Sequence, residues 1–370
     1  MKIPVGKPLL PVTADLVPLL QELDGNRVYS NFGPLVKRFE AELVRHFGVK
    51  DGGVVSTANG TVGLTLSLLP DTPGKLCLMP AWTFVATPLA AMQAGMIPCF
   101  ADVGPETGEM EIDAVRDRLA ADAEQIGAIV VVTPFGRRID VQPWCDLSDE
   151  FGVKVVFDAA AGFDSWRACA PPAMISLHAT KLFGVGEGGL IVTTDESVAG
   201  LVRQRTNFGF RGSRETGIIS ANAKMSEYHA AVGLAALARY PETRAQYARV
   251  RDTYRRNLSS IDGVRLFETA NDPEVTATVV LEFERPVAEP VAEALGSSGI
   301  ESRAWWEFGC HVQPAFRTMP RLHPDLPATD MIARRTLGVP CFPDLDEETI
   351  DRICDRIADA MTGLRKRGGR

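Results

Sequence analysis

The chain has 370 residues, 45% hydrophobic and 23% charged, a balance that excludes a disordered or fibrous protein and fits a folded one. A single hydrophobic core stops growing beyond roughly 250–300 residues, so two domains are expected. The formal net charge of -8 repels phosphate backbones and argues against a nucleic-acid partner.

The N-terminal stretch MKIPVGKPLLPVTADL carries prolines at 4, 8 and 11 and no apolar run of signal-peptide length. Nowhere do about 20 consecutive apolar residues occur, so no membrane span is expected and the protein is placed in the cytoplasm. From about 30 to 240, short apolar runs alternate with longer helix-like stretches. Gly53–Thr57, Leu76–Met79, Ile97–Phe100, Ala128–Thr133, Val153–Phe157, Met174–Leu177 and Leu190–Thr194 read as buried strands. Thr61–Leu69, Phe84–Gln93, Ile112–Ala121 and Pro143–Phe151 read as helices between them. Continuous apolar strands alternating with helices imply an α/β fold, a mostly parallel sheet covered on both faces. After Pro241 the texture changes. A charged helical stretch, Glu242–Leu258, leads into a strand at Ala277–Phe283, then Val287–Ser297 and a last helix near Glu347–Met361. The expected division is therefore 1–240 as a large domain with an N-terminal arm, and 241–370 as a smaller α/β domain. The basic tail Arg365–Arg370 reads as frayed and solvated. The seven cysteines include no C-x-x-C pair and no accompanying histidine cluster, so reduced thiols are expected, with no disulfide framework and no metal.

In parallel α/β sheets, ligands collect beyond the carboxyl ends of the strands. Four kinds of residue follow the predicted strands here. Asn59-Gly60-Thr61 opens a helix, Trp82 and Phe84 follow the second strand, Asp158-Ala159-Ala160 the fifth, and His178-Ala179-Thr180-Lys181 the sixth. An anion cradle, an aromatic face, an acid and an amine on one sheet edge are the parts a pyridoxal phosphate (PLP) enzyme requires. Lysine forms the Schiff base, and an acid keeps the pyridine nitrogen protonated. A helix N-terminus with small residues holds the phosphate.

Ser176-Leu177-His178-Ala179-Thr180-Lys181, closed by Gly186-Glu187-Gly188-Gly189, resembles the lysine segment of the DegT/StrS-type sugar aminotransferases. The resemblance runs over nearly the whole chain. It takes in Tyr29-Ser30-Asn31-Phe32-Gly33-Pro34 with Phe39-Glu40, then Asn59-Gly60-Thr61, Pro80 to Thr87, Gly95 and Pro98. It continues through Asp158-Ala159-Ala160, Asn222 to Glu227, His311 within Cys310-His311-Val312-Gln313-Pro314, and Leu337-Gly338-Val339-Pro340. It implies a fold-type I PLP-dependent transferase that moves an amino group from an amino acid, L-glutamate in most relatives, to a keto-sugar nucleotide. It also implies a homodimer with active sites shared between chains. By position, Lys181 is the Schiff-base lysine and proton shuttle, Asp158 the partner of the pyridine nitrogen and Trp82 the stacking ring. Gly60, Thr61 and Ser176 hold the phosphate, joined by Asn222 from the other chain, and His311 and Tyr29 reach the substrate. One position departs from the pattern: many relatives carry His or Gln three residues after the aspartate, near the cofactor ring oxygen, and Ala161 stands here. That leaves the ring oxygen to water or to another side chain.

Gly184, Gly186 and Gly189 also match G-x-G-x-x-G, but a dinucleotide loop needs a strand before it and a helix after it. The strand-like LIVTT follows instead, which excludes that reading. A cyclitol or other keto acceptor, or a non-catalytic relative that regulates or binds a partner, are the competing functions.

Overall fold

The computed structural model describes residues 2–50, 52–69, 73–268 and 275–368. Two helices come first, α1 (Thr13–Asn26) and α2 (Pro34–Phe47). Alternation then sets in with β1 (Val54–Thr57), α3 (Gly60–Leu68), β2 (Leu76–Pro80), α4 (Ala86–Gln93), β3 (Ile97–Ala101) and α5 (Ile112–Asp122). It continues through β4 (Ile126–Val132), α6 (Gln142–Phe151), β5 (Lys154–Asp158), β6 (Ala173–Ser176), β7 (Gly189–Val192) and α7 (Glu196–Thr206). The long α8 (Glu227–Leu258) leads to β8 (Val264–Leu266), β9 (Val279–Phe283), α9 (Ala288–Ser297), α10 (Pro327–Arg335), β10 (Thr336–Val339) and α11 (Glu347–Gly368).

Every strand expected before residue 200 forms, and together they make a seven-stranded sheet in the order β1-β7-β6-β5-β4-β2-β3. Strand β7 alone runs against its neighbours, pairing antiparallel with β1 and β6, while β3, β2, β4, β5 and β6 are parallel. Their residues are buried on both faces, because helices cover the sheet from both sides. The parallel strands therefore release their carboxyl ends, and the residues that follow them, along one edge. A second, antiparallel sheet has the order β10-β9-β8.

No loop marks the boundary expected near 240, which a helix spans. Helix α8 is 32 residues long and runs through Pro241. A proline inside a helix removes a hydrogen bond and crowds the preceding turn; here tertiary burial of Tyr240 and Tyr247 holds the helix together. Nor is the basic tail loose where it is described. α11 continues to Gly368, and Arg365 pairs with Asp262 at 3.1 Å; residues 369 and 370 lie outside the described part. Among the described residues no helix is long and apolar enough to cross a membrane, and no group of metal-ligating side chains assembles.

The N-terminal signature has a structural reason. The buried Glu227 carboxylate accepts from Leu35 N at 2.7 Å and Val36 N at 3.0 Å, satisfying the free amides that open α2. Gly33 is the neighbour this requires, since a Cβ there would lie 2.6 Å from the Glu227 carboxyl carbon. Glu40, also buried, accepts from Ser56 N and Ser56 Oγ at 2.9 and 2.7 Å and pairs with Arg203, fixing β1 just before the helix start at Gly60.

Candidate active site

A cavity of about 830 Å³ opens at the carboxyl ends of the parallel strands. Gly60, Thr61, Asp158, Ser176 and Lys181 all line it, so five of the residues singled out in the sequence share one space. The three-stranded sheet and its loops close the other side with Ala277, Thr278, Arg303, Trp305 and Trp306. That volume is typical of a pocket for a bound small molecule.

Lys181 follows β6 in a loop held by backbone hydrogen bonds from Ala179 N to Gly186 O and from Lys181 N to His178 O, both 2.9 Å. His178 Nδ1 lies 2.8 Å from Thr180 Oγ1, bracing the same loop. Burial pushes the Lys181 ammonium below the ordinary lysine range, and the Asp158 charge opposes this only in part. More of the amine is therefore neutral and able to attack a carbonyl. Asp158 ends β5 and is buried. Burial raises its carboxyl above the usual range, against hydrogen bonds from Thr87 Oγ1 at 2.8 Å and Ala160 N at 3.2 Å and the charge of Lys181. Those two donors fix the plane of the carboxylate and leave it free lone pairs.

The phosphate cradle is built from α3. Asn59 caps the helix by accepting from Val62 N at 2.9 Å, which leaves the first amides of α3 without intrahelical partners. Gly60 lets β6 come close: a Cβ there would lie 2.9 Å from Met174 Sδ and 3.5 Å from Ser176 Cβ. The residues present fit PLP, with a helix N-terminus for its phosphate, a buried acid for its ring nitrogen and a poised amine for its aldehyde. A second sign points the same way. Thr133 Oγ1 and Thr278 Oγ1 line this cavity and are buried without a hydrogen-bond partner, as protein atoms facing a ligand would be.

Four expected site residues do not line the cavity. Trp82 is only 1% exposed and sits edge-on to Phe135, Phe267 and Trp306, with ring centroids 5.4, 5.5 and 4.7 Å away. It is a core residue in this position, and the aromatic of the same segment that faces the cavity is Phe84, 57% exposed. His311 is 3% exposed, 3.7 Å from Asp330, and lies behind the wall. Burial and the Arg321 charge push its imidazolium below the usual range, so it stays neutral where a phosphate contact would want charge. Tyr29 is exposed and stacks on Tyr228 at 6.1 Å. Asn222 is exposed as well, accepting from Lys224 Nζ at 2.7 Å. Neither lines this chain's own cavity. Sequence reasoning missed Thr87, the donor to Asp158, although it lies in the quoted Pro80–Thr87 segment. It also missed Thr133, Phe135 and Arg303, which line the same cavity.

Comparison with known proteins agrees with this geometry. The sequence profile of the DegT/DnrJ/EryC1/StrS aminotransferase family matches residues 12–358. Protein Rv3402c of Mycobacterium tuberculosis is 30% identical over 97% of this chain and 90% of its own length. The dTDP-4-amino-4,6-dideoxy-D-glucose transaminase of Shigella dysenteriae is 28% identical over 71% of this chain and 72% of its own. The crystal structure of DesI, determined in the presence of its TDP-sugar product, superposes with a TM-score of 0.87 and 31% identity, covering 100% of this chain and 95% of that one. With an amine, an acid and a helix N-terminus converging on one cavity, the chain belongs to the DegT/DnrJ/EryC1/StrS aminotransferase family and is a PLP-dependent aminotransferase.

Proposed function

We propose that the protein transfers the amino group of an amino acid, L-glutamate, to the carbonyl of a keto-sugar nucleotide. The observation that carries this reading is the second half of the cavity. Beyond Lys181 its wall is aromatic, with Phe135 and Trp306 stacked at 4.2 Å and 17°. Flat aromatic faces suit the C–H surface of a sugar ring. Arg303, its guanidinium 4.9 Å from the Trp305 ring, is the arginine of this lining and suits an anionic donor. A dTDP-sugar transaminase, a GDP-perosamine synthase and a UDP-sugar aminotransferase among the relatives support the same acceptor class.

In this reading Gly60, Thr61 and Ser176 bind the cofactor phosphate, and Phe84 covers the ring. Asp158 holds a proton at the pyridine nitrogen. Bound there, PLP supplies the carbonyl that takes up the donor nitrogen and the electron-withdrawing ring that acidifies the donor Cα. Lys181 Nζ would take the donor Cα proton and return it on the far side of the donor nitrogen, a 1,3 shift. With the acceptor it moves protons in the opposite sense. The aromatic wall excludes water while this happens, which strengthens the Asp158 interaction. We infer a homodimer as the working form, because exposed Tyr29, Phe208 and Tyr228 surround the exposed Asn222 segment. Seven unpaired cysteines favour a reducing compartment, the cytoplasm.

The test is an assay of 2-oxoglutarate release from glutamate with nucleoside-diphosphate keto-hexoses and, separately, a cyclitol ketone. Turnover with a keto-sugar nucleotide is the expected result, and turnover with the cyclitol alone would replace the acceptor class. A protein that remains colourless with PLP would point to a non-catalytic role.

A further inference from the structure

Thr133 is the first residue beyond β4, next to the aspartate strand: its amide donates to Asp158 O at 3.0 Å. Pro134 follows it, which confines Thr133 to extended backbone, and its φ and ψ are -92° and 101°. A β-branched side chain on a fixed backbone has few rotamers. Thr133 is 5% exposed, lines the cavity, and its hydroxyl has no partner among the described residues. An unpartnered buried hydroxyl costs stability and calls for a ligand group.

The strand order says which group. Along the sheet edge, Ser176 ends β6, Asp158 ends β5 and Thr133 follows β4, in that spatial sequence. With the phosphate arm at the Ser176 and α3 side and the ring nitrogen at Asp158, the opposite edge of the pyridine ring faces Thr133. That edge bears a methyl group and the ring oxygen, and only the oxygen takes a hydrogen bond. The Ala161 side chain, on the same cavity, is a methyl group with no donor to offer it.

We propose that the Thr133 hydroxyl donates to the cofactor ring oxygen and sets the protonation of the lysine-bound cofactor. This rests on the cofactor placement above. A donor to a phenolate-like oxygen stabilises the form that has lost the imine proton, because that proton otherwise shares the same oxygen. Losing the donor therefore raises the pH at which the proton leaves.

Thr133→Val removes the hydroxyl at nearly constant shape, and Thr133→Ser keeps it. Three readouts are needed: thermal unfolding of the cofactor-free protein, the cofactor Kd, and the pH titration of the visible band. In the Val variant the cofactor-free protein is expected to melt no lower than wild type. Its Kd is expected to rise about tenfold, the scale of one hydrogen bond to a charged group, and its titration midpoint to move up. Ser is expected to restore both. A Val variant that melts lower while its Kd and midpoint stay at wild-type values would overturn the proposal, as would a midpoint that moves down. Failure of the wild-type protein itself to take up PLP would sink the functional reading first, and this proposal with it.

Discussion

Gly189→Ala puts one methyl group where β7 passes the start of α3. The new Cβ would lie 2.7 Å from Gly60 Cα, Gly60 N and Thr57 Oγ1. Carbon atoms settle at about 3.5–4.0 Å, so roughly 1 Å of separation has to be found. Two of the three obstructing atoms are backbone, and no rotamer change can relieve them. Either β7 leaves its pairing with β1 and β6, or the first turn of α3 moves. Overpacking of this kind costs about 1–3 kcal/mol. Moving the α3 amides also spoils hydrogen bonds to the phosphate worth about 1.5–3 kcal/mol each, and one such loss weakens cofactor binding about 10- to 150-fold. Titrating the cofactor-free protein with PLP by absorbance, alongside thermal unfolding with and without PLP, measures both effects. Gly200→Ala serves as the control: nothing lies within 4 Å of its Cβ, and alanine inside α7 is expected to stabilise slightly. A Gly189→Ala protein with wild-type melting temperature and a Kd within about twofold of wild type would refute the close-approach reasoning.

Trp82→Ala is expected to cost about 3–5 kcal/mol of stability as a core cavity, whereas Phe84→Ala leaves the melting temperature nearly unchanged and weakens cofactor retention on gel filtration. The reverse pattern would restore Trp82 to the site. Lys181→Met stabilises the cofactor-free protein. Burial depresses the folded-state pKa, so the native lysine costs stability wherever the unfolded chain binds the extra proton. The gain is largest below the folded pKa and disappears as pH rises through the ordinary lysine value of 10.5, which denaturation at a series of pH values would follow. Glu227→Gln removes a charged acceptor shared by two α2 amides and is expected to lower stability by about 1–3 kcal/mol in urea unfolding; an unchanged midpoint would show that water replaces it.

The large sheet was legible because its strands are continuous apolar runs, and the amine and acid because each follows such a run directly. Period and punctuation could not show the strand order, in which β7 is wedged between β1 and β6. Nor could they arbitrate between Trp82 and Phe84. Both lie past the end of β2, where strict alternation no longer governs side-chain direction. The choice is made by Phe267 and Trp306, more than 180 residues downstream, which enclose the larger ring. The burial of His311 was hidden for a related reason: a histidine in a resembling motif says nothing of what packs around it. The charged pattern shows only Glu242–Leu258 of α8, which begins at Glu227 and runs through Pro241.

That unbroken α8 bears on how the protein can be divided. At about 1.5 Å per residue its 32 residues make a rod some 48 Å long, whose first turn caps α2 through Glu227 and whose last turns lead into β8. A chain severed after residue 240 would give two fragments, each ending in half a rod with buried apolar side chains laid bare. Limited proteolysis should therefore spare this region, and expression of 1–240 alone should yield an aggregating product rather than an autonomous half-enzyme.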